Sequence, residues 1–128
     1  MPYHLRNAGA AYGLYSTPRD MAKYVRWQLD ESIDIIRLAH QPIHGDLASG
    51  LALIWNVASD HGSRMLWHGG GTFGMSSQVV LYPDQHEGYV MLANDTCAGT
   101  ESALGDIATA VHASLNPTTR PTGSLQAQ

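Results

Sequence analysis

Short apolar segments joined by short turn signals between residues 63 and 94 constrain the fold more than any other feature. The spacing of apolar residues predicts three strands here, over residues 65–68, 77–82 and 88–93. Gly69-Gly70-Gly71 breaks the side-chain pattern after the first strand, and Pro83-Asp84-Gln85-His86 forms the turn after the second. Because links this short leave no room for a parallel crossover, the strands should pair antiparallel, with the strand that ends at His68 beside the strand 77–82.

A helix is predicted near the start of the chain. Thr17 can cap this helix, Pro18 suits its first position, and Asp20 lies in its first turn, where an acidic side chain is favoured. The helix should end near Asp30, and a second short helix should follow over residues 33–39. The strands are therefore preceded by two helices.

The remaining segments complete an α+β pattern. Residues 41–50 are typical of a loop. A half-buried strand is predicted from the alternation of Leu51, Leu53, Trp55 and Val57. Residues 100–115 are predicted to form an amphipathic helix, with an apolar face of Leu104, Ile107, Ala108 and Val111. The predicted fold class is therefore α+β, an antiparallel sheet of about four strands with helices packed on it.

Composition and charge exclude several classes of function. The chain has 128 residues, 44% of them hydrophobic, which suits a single domain over residues 1–115 followed by a flexible tail over 116–128. A net charge of −4 offers neither a basic face for nucleic acid nor a polybasic anchor for a membrane. No apolar run could span a bilayer and no secretory signal is visible, so the chain as printed would remain in the cytoplasm.

Cysteine and histidine offer little for a metal or redox site. Cys97 is the only cysteine, and we expect it to be packed in the interior rather than reactive. His40 and His44 have the spacing of helical metal ligands, but Pro42 between them breaks a helix, so we predict no metal site and no cofactor. Surface or turn positions are expected for His4, His61, His86 and His112, and core positions for Trp27, Trp55 and Trp67.

The segment from Trp67 to Ser77, WHGGGTFGMSS, is the part of the chain suited to chemistry. The glycines after His68 keep the strand free of side chains, so that an acyl group could lie against its backbone. His68 could hydrogen-bond a carboxylate or support proton transfer, because imidazole exchanges protons near neutral pH.

This segment resembles the active-site strand of the β-lactamase and penicillin-binding-protein superfamily of serine hydrolases, which includes class C β-lactamases, D-alanyl-D-alanine carboxypeptidases and related esterases. In that family the strand beside the nucleophile carries Lys-Thr-Gly or a variant such as His-x-Gly, here His68-Gly69-Gly70. The likeness covers residues 9–115, and it continues in Thr72-x-Gly74, in Tyr82-Pro83, in the strand Gly88–Asn94 and upstream in Ala11–Thr17.

The resemblance implies roles for individual residues. Gly71 would supply the backbone N–H of an oxyanion hole, a donor whose removal in other enzymes raises the barrier by about 3–4 kcal/mol. His68 would be the motif's polar residue, with Gly69, Gly70 and Thr72 lining the substrate. The expected ligand is a small acyl or peptide-like molecule.

The family's nucleophile pair, Ser-x-x-Lys, is absent from the sequence. Lys23 is the only lysine, and Asp20 stands three residues before it. Three readings follow: a truncated hydrolase segment that is inactive alone, a standalone module that binds a small molecule or a protein, and a new enzyme that uses Ser76 and His68.

Self-association is the last expectation. Without the rest of the family fold, an apolar sheet edge and the stripe of residues 51, 53, 55 and 57 would face water. Exposed strand edges pair readily with other strands, and two-fold dimers are the commonest closed assembly. We therefore expect a homodimer, built by edge pairing or by exchange of a terminal helix, with His68–Gly71 at or near the joint.

Overall fold

The computed structural model describes residues 14–117, which form three α-helices and six strands. In chain order these are α1 (Pro18–Gln28), α2 (Asp34–Ala39), β1 (His44–Gly45), β2 (Ser49–Leu51), β3 (Asn56–Asp60), β4 (Ser63–Thr72), β5 (Met75–Tyr82), a 3₁₀ turn (Pro83–Gln85), β6 (Glu87–Ala93) and α3 (Thr100–Leu115). None of these helices is long and apolar enough to cross a bilayer. The tail was predicted over residues 116–128, and residues 118–128 lie outside the part of the chain that the structure describes.

All six strands form one antiparallel sheet in the order β1-β2-β3-β4-β5-β6. The α+β class is confirmed, with two short strands more than the predicted four or so. The strand that contains His68 lies antiparallel beside the strand 77–82, as predicted, and His68 pairs with Val79. The expected Gly-rich link was wrong: Gly69–Gly71 continue β4, and Phe73-Gly74 forms the turn. A two-residue turn joins β3 to β4, and positive φ angles at His61 (48°) and Gly62 (86°) match the turn that a twisted hairpin requires.

The predictions for residues 41–57 were wrong in two respects. The expected loop contains β1 and β2, and the expected strand is interrupted. β2 ends at Leu51, and the Ala52 N–H donates to the Trp55 carbonyl at 2.8 Å, so the chain turns before β3 begins. Ala52 and Trp55 are buried as a result, whereas Leu53 is 64% exposed. The apolar stripe expected to face water is therefore split between core and surface.

The predicted helices are confirmed. The Thr17 hydroxyl accepts a hydrogen bond from the Asp20 N–H at 3.2 Å, which caps the first turn of α1. α2 and α3 follow at the predicted places.

The sheet buries a core on each face. One core faces α1 and contains Val25, Ala52, Trp55, Val57, Leu66 and Leu81. The other faces α3 and contains Val80, Tyr82 and Ala108, with Met65, Trp67, Tyr89 and Met91 packed against them. Successive residues of β4 and β5 alternate between these cores, as side chains of any strand do. Each residue of the Gly-rich segment can therefore be assigned to one face.

Several single-residue predictions were wrong. His112 is buried rather than exposed: it stacks on Tyr82 with ring centroids 3.5 Å apart, and its Nδ1 lies 2.8 Å from a Glu87 carboxylate oxygen. Cys97 is exposed, and Trp27 is about half exposed. On α3 the buried residues are Leu104, Ala108 and His112, whereas Ile107 and Val111 are exposed. The α3 face that meets the sheet is thus rotated from the predicted one.

Candidate active-site strand

The Gly-rich end of β4 has a free edge. β3 pairs with β4 only as far as Asn56 opposite Trp67, whereas β5 pairs with β4 up to Thr72. Among the described strands, residues 68–72 therefore have a partner on the β5 side alone. An unpaired strand edge presents backbone N–H and C=O groups that can bind an extended ligand.

Two hydrogen bonds show which backbone groups face this edge. The Asn56 side chain donates to the Trp67 carbonyl at 3.3 Å, so Trp67 points its backbone groups toward the β3 side. The Ser77 hydroxyl donates to the Gly70 carbonyl at 3.2 Å, so Gly70 points toward β5. Because backbone direction alternates along a strand, the N–H groups of Gly69 and Gly71 point to the free edge.

The five predicted site residues lie together on β4, but they divide between the two faces. His68 and Thr72 are exposed on the face opposite α3. Gly69 and Gly71 lie on the α3 face, since the side chains of Gln78 and Glu101 occupy the space beside them. The strand thus offers a polar side chain on one face and backbone N–H groups along its edge.

Two of the three glycines lie against the ends of long side chains on the α3 face. A Cβ at Gly69 would overlap the Gln78 side chain, and a Cβ at Gly71 would lie 2.6 Å from the Glu101 Oε1. A Cβ at Gly70 would meet only the Ser77 Oγ at 3.7 Å, an ordinary contact. Because both neighbours are the ends of flexible side chains that can move aside, packing alone does not require glycine at positions 69 and 71.

Glu101 is the residue near this strand that the sequence analysis missed. It lies in the first turn of α3, where an acidic side chain is favoured by the helix dipole. Its carboxylate reaches over Gly69 and Gly71 on the α3 face. The only sequence signal was its place at a helix start, which says nothing about the strand that it covers.

Ser76 cannot act together with His68. Gly71 pairs with Ser76 and His68 pairs with Val79, so the serine and the histidine lie on opposite faces of the sheet. Ser76 is buried, and its hydroxyl donates to the Asp95 carbonyl at 2.7 Å. The reading of the chain as a new enzyme that uses this pair is therefore wrong.

A polar cavity of about 460 Å³ lies at the end of β4. It is lined by Gly71, Thr72, Ser76, Thr96, Cys97, Gly99, Glu101 and Ser102. A hydrogen bond with Asp95 raises the pKa of the Cys97 thiol, which disfavours the reactive thiolate. Within residues 14–117 no group of three or more His, Cys, Asp or Glu side chains could hold a metal ion.

An antiparallel sheet covered by helices, with a His-x-Gly strand whose N–H groups face a free edge, is the architecture expected of a β-lactamase-like serine hydrolase. The chain belongs to the Beta-lactamase family, whose model matches residues 2–114. The resemblance of the Gly-rich segment to that superfamily is thus confirmed. A comparison with curated proteins found no match.

Proposed function

We propose that this chain supplies the substrate-binding strand of a β-lactamase-like serine hydrolase, lacks the nucleophile pair, and is not catalytic alone. The observation that carries the proposal is the free edge of residues 68–72, where the Gly71 N–H points outward. A backbone N–H held in this way can stabilise the oxyanion of an acyl-transfer reaction. Gly69 presents a second N–H to the same edge, so that an acyl or peptide-like ligand could extend the sheet.

The surroundings of Lys23 support the absence of a nucleophile pair. Lys23 lies on α1, 2.7 Å from the Asp20 carboxylate, and both side chains are exposed. The Ser-x-x-Lys mechanism needs a lysine beside a serine hydroxyl, and here the position three residues before the lysine is an aspartate. Of the family's catalytic side chains, the described strand β4 retains only the polar residue of its triplet, His68.

A binding module derived from this fold is the second candidate. The same free edge favours it, because β-strand addition needs unpaired backbone groups and no nucleophile. The two candidates share the ligand class and differ in whether a separate nucleophile completes the site.

We expect no turnover of a chromogenic cephalosporin or of p-nitrophenyl acetate above the buffer rate, and no mass increase after incubation with benzylpenicillin. Acetyl-D-alanyl-D-alanine should shift the backbone amide resonances of Gly69 and Gly71 in a nitrogen-15 spectrum. Gly71→Pro removes the N–H of residue 71 together with its resonance, so the informative result is that the ligand should no longer shift the Gly69 resonance. Gly70→Ala is the matched control, because a methyl group fits there.

A covalent penicillin adduct would show that the chain contains a reactive nucleophile, and this would refute the proposal that it is not catalytic alone. Resonance shifts that avoid residues 68–72 would refute the free edge as the ligand site. Urea unfolding of each variant shows whether a lost shift reflects a lost fold.

We also propose that the chain forms a homodimer, and that β6 is the joining edge. Among the strands formed by residues 14–117, β6 is the last in the sheet order, so none of them pairs with its outer edge along seven residues, a longer edge than residues 68–72 offer. Light scattering should give the mass of two chains at micromolar concentration. Leu92→Lys on β6 should halve that mass, because a charge at a strand edge opposes pairing. If Thr72→Lys halves the mass instead, the joint lies at the Gly-rich strand; a one-chain mass for the unaltered protein would rule out the dimer.

A further inference from the structure

A second cavity lies between the sheet and α3, on the face opposite His68. It is an open groove of about 390 Å³, lined by Met65, Trp67, Gln78, Val80, Glu101, Ser102, Gly105, Asp106 and Thr109. The sheet contributes its apolar side chains and Gln78, whereas α3 contributes small and acidic residues. A groove with an apolar wall and a few convergent polar groups has the usual character of a small-molecule site.

Gln78 is the polar group inside this groove. The residue is only 6% exposed, yet its side-chain amide makes no hydrogen bond to any residue in the described range. The amide lies between Gly69 of β4 and Gly105 of α3. The amide atoms open onto the groove, so they can donate to and accept from a molecule that binds there.

Gly105 gives independent support. It lies in the interior of α3, where glycine destabilises a helix relative to alanine. Packing does not require it: a Cβ at this position would meet only the Gln78 Nε2, at an ordinary 3.6 Å. The missing side chain leaves the groove open beside the unpartnered amide.

The charged side chains of the groove indicate the chemical class of its ligand. Glu101 and Asp106 are its only charged residues, and neither carboxylate pairs with a cation among residues 14–117. Met65 and Trp67 line the same space and offer an apolar surface. We propose that this groove binds a small amine with an apolar body, whose ammonium group pairs with Glu101 while its body lies along Met65 and Trp67.

This site is separate from the free edge of β4, although Glu101 borders both. It does not rest on the proposed hydrolase role, because binding in the groove needs neither Gly71 nor a nucleophile. A failure of the amine to bind would leave the acyl ligand at the edge unaffected.

The test is calorimetric titration of the whole chain with 2-phenylethylamine, beside 2-phenylethanol as the neutral isostere. The amine should bind about ten-fold more tightly than the alcohol, and high salt should reduce the difference. Glu101→Gln should remove most of the preference for the amine. Asp34→Asn is the matched control, because Asp34 is an exposed carboxylate on α2.

Variants at Gly105 distinguish an effect on ligand binding from an effect on the stability of the fold. Gly105→Leu should fill the groove and abolish amine binding. Gly105→Ala should raise the urea midpoint while it weakens binding, because alanine favours the helix and its methyl group enters the groove. Equal affinity for amine and alcohol, or unchanged binding in the Gly105→Ala and Glu101→Gln variants, would overturn the proposal.

Discussion

Replacing Arg64 with methionine should lower the free energy of unfolding by about 2–4 kcal/mol, since it breaks a largely buried ion pair and leaves its acidic partner behind. The Arg64 guanidinium donates to both carboxylate oxygens of Glu31, at 2.9 and 2.6 Å, and to Asp84 at 2.9 Å. Arg64 is 14% exposed and Glu31 is 24% exposed. The pair joins the α1–α2 connection to β4, so its loss should weaken the attachment of that connection to the sheet. Urea unfolding followed by circular dichroism measures the change.

Arg37→Met is the matched control for this prediction. Arg37 pairs with Asp34 at 2.8 Å within α2, and both side chains are more than half exposed. Exposed pairs of this spacing contribute about 0.5 kcal/mol or less. If the two substitutions cost the same, the Arg64–Glu31 pair does not strengthen the attachment of the α1–α2 connection to the sheet.

The antiparallel pairing of β4 with β5 could be predicted because it depends on local signals. The short stretch between His68 and Ser77 leaves a hairpin as the only way to pair these strands, although Gly69–Gly71 continue β4 and the turn itself is Phe73-Gly74. The start of α1 could be predicted for the same reason, because its signals Thr17, Pro18 and Asp20 lie within a single turn. The family resemblance likewise depended on short segments, each local in sequence, that follow one another in the right order over residues 9–115.

Features that depend on distant contacts could not be predicted. Nothing near His112 in sequence indicates that it stacks on Tyr82, thirty positions earlier. The position of Glu101 over Gly71 depends on how α3 packs against β4, which helical periodicity does not specify. The alternation from Leu51 to Val57 suggested a strand because a two-residue period cannot distinguish a continuous strand from one broken by a turn. The candidate strand and its pairing with β5 were thus visible in the sequence, whereas the α3 side chains that cover it were not.

His40 is the buried titratable group most closely tied to the ion pair of Arg64. It is fully buried, with Nδ1 at 2.8 Å from the Glu31 Oε1 and Nε2 at 3.0 Å from the Gln28 Oε1. Burial lowers the pKa of His40 below its usual 6.5; the hydrogen bond with Glu31 opposes this shift and the charge of Arg64 adds to it. Burial by itself would raise the pKa of Glu31, but hydrogen bonds from Arg64 and His40 outweigh it and hold that pKa below 4.5.

Acidification from pH 7.5 to 5.5 should therefore destabilise the fold. The unfolded chain protonates His40 near pH 6.5, while the folded chain does so only at a lower pH, so stability falls as the pH drops below 6.5. One group can contribute at most about 1.4 kcal/mol per pH unit. His40→Gln should flatten this dependence, measured by urea unfolding at each pH, whereas His61→Gln, at an 80% exposed side chain, should not. Glu31 acts in a separate window, because its contribution is lost only below about pH 4.5. An unchanged slope between pH 7.5 and 5.5 in His40→Gln would show that His40 is not the titrating group.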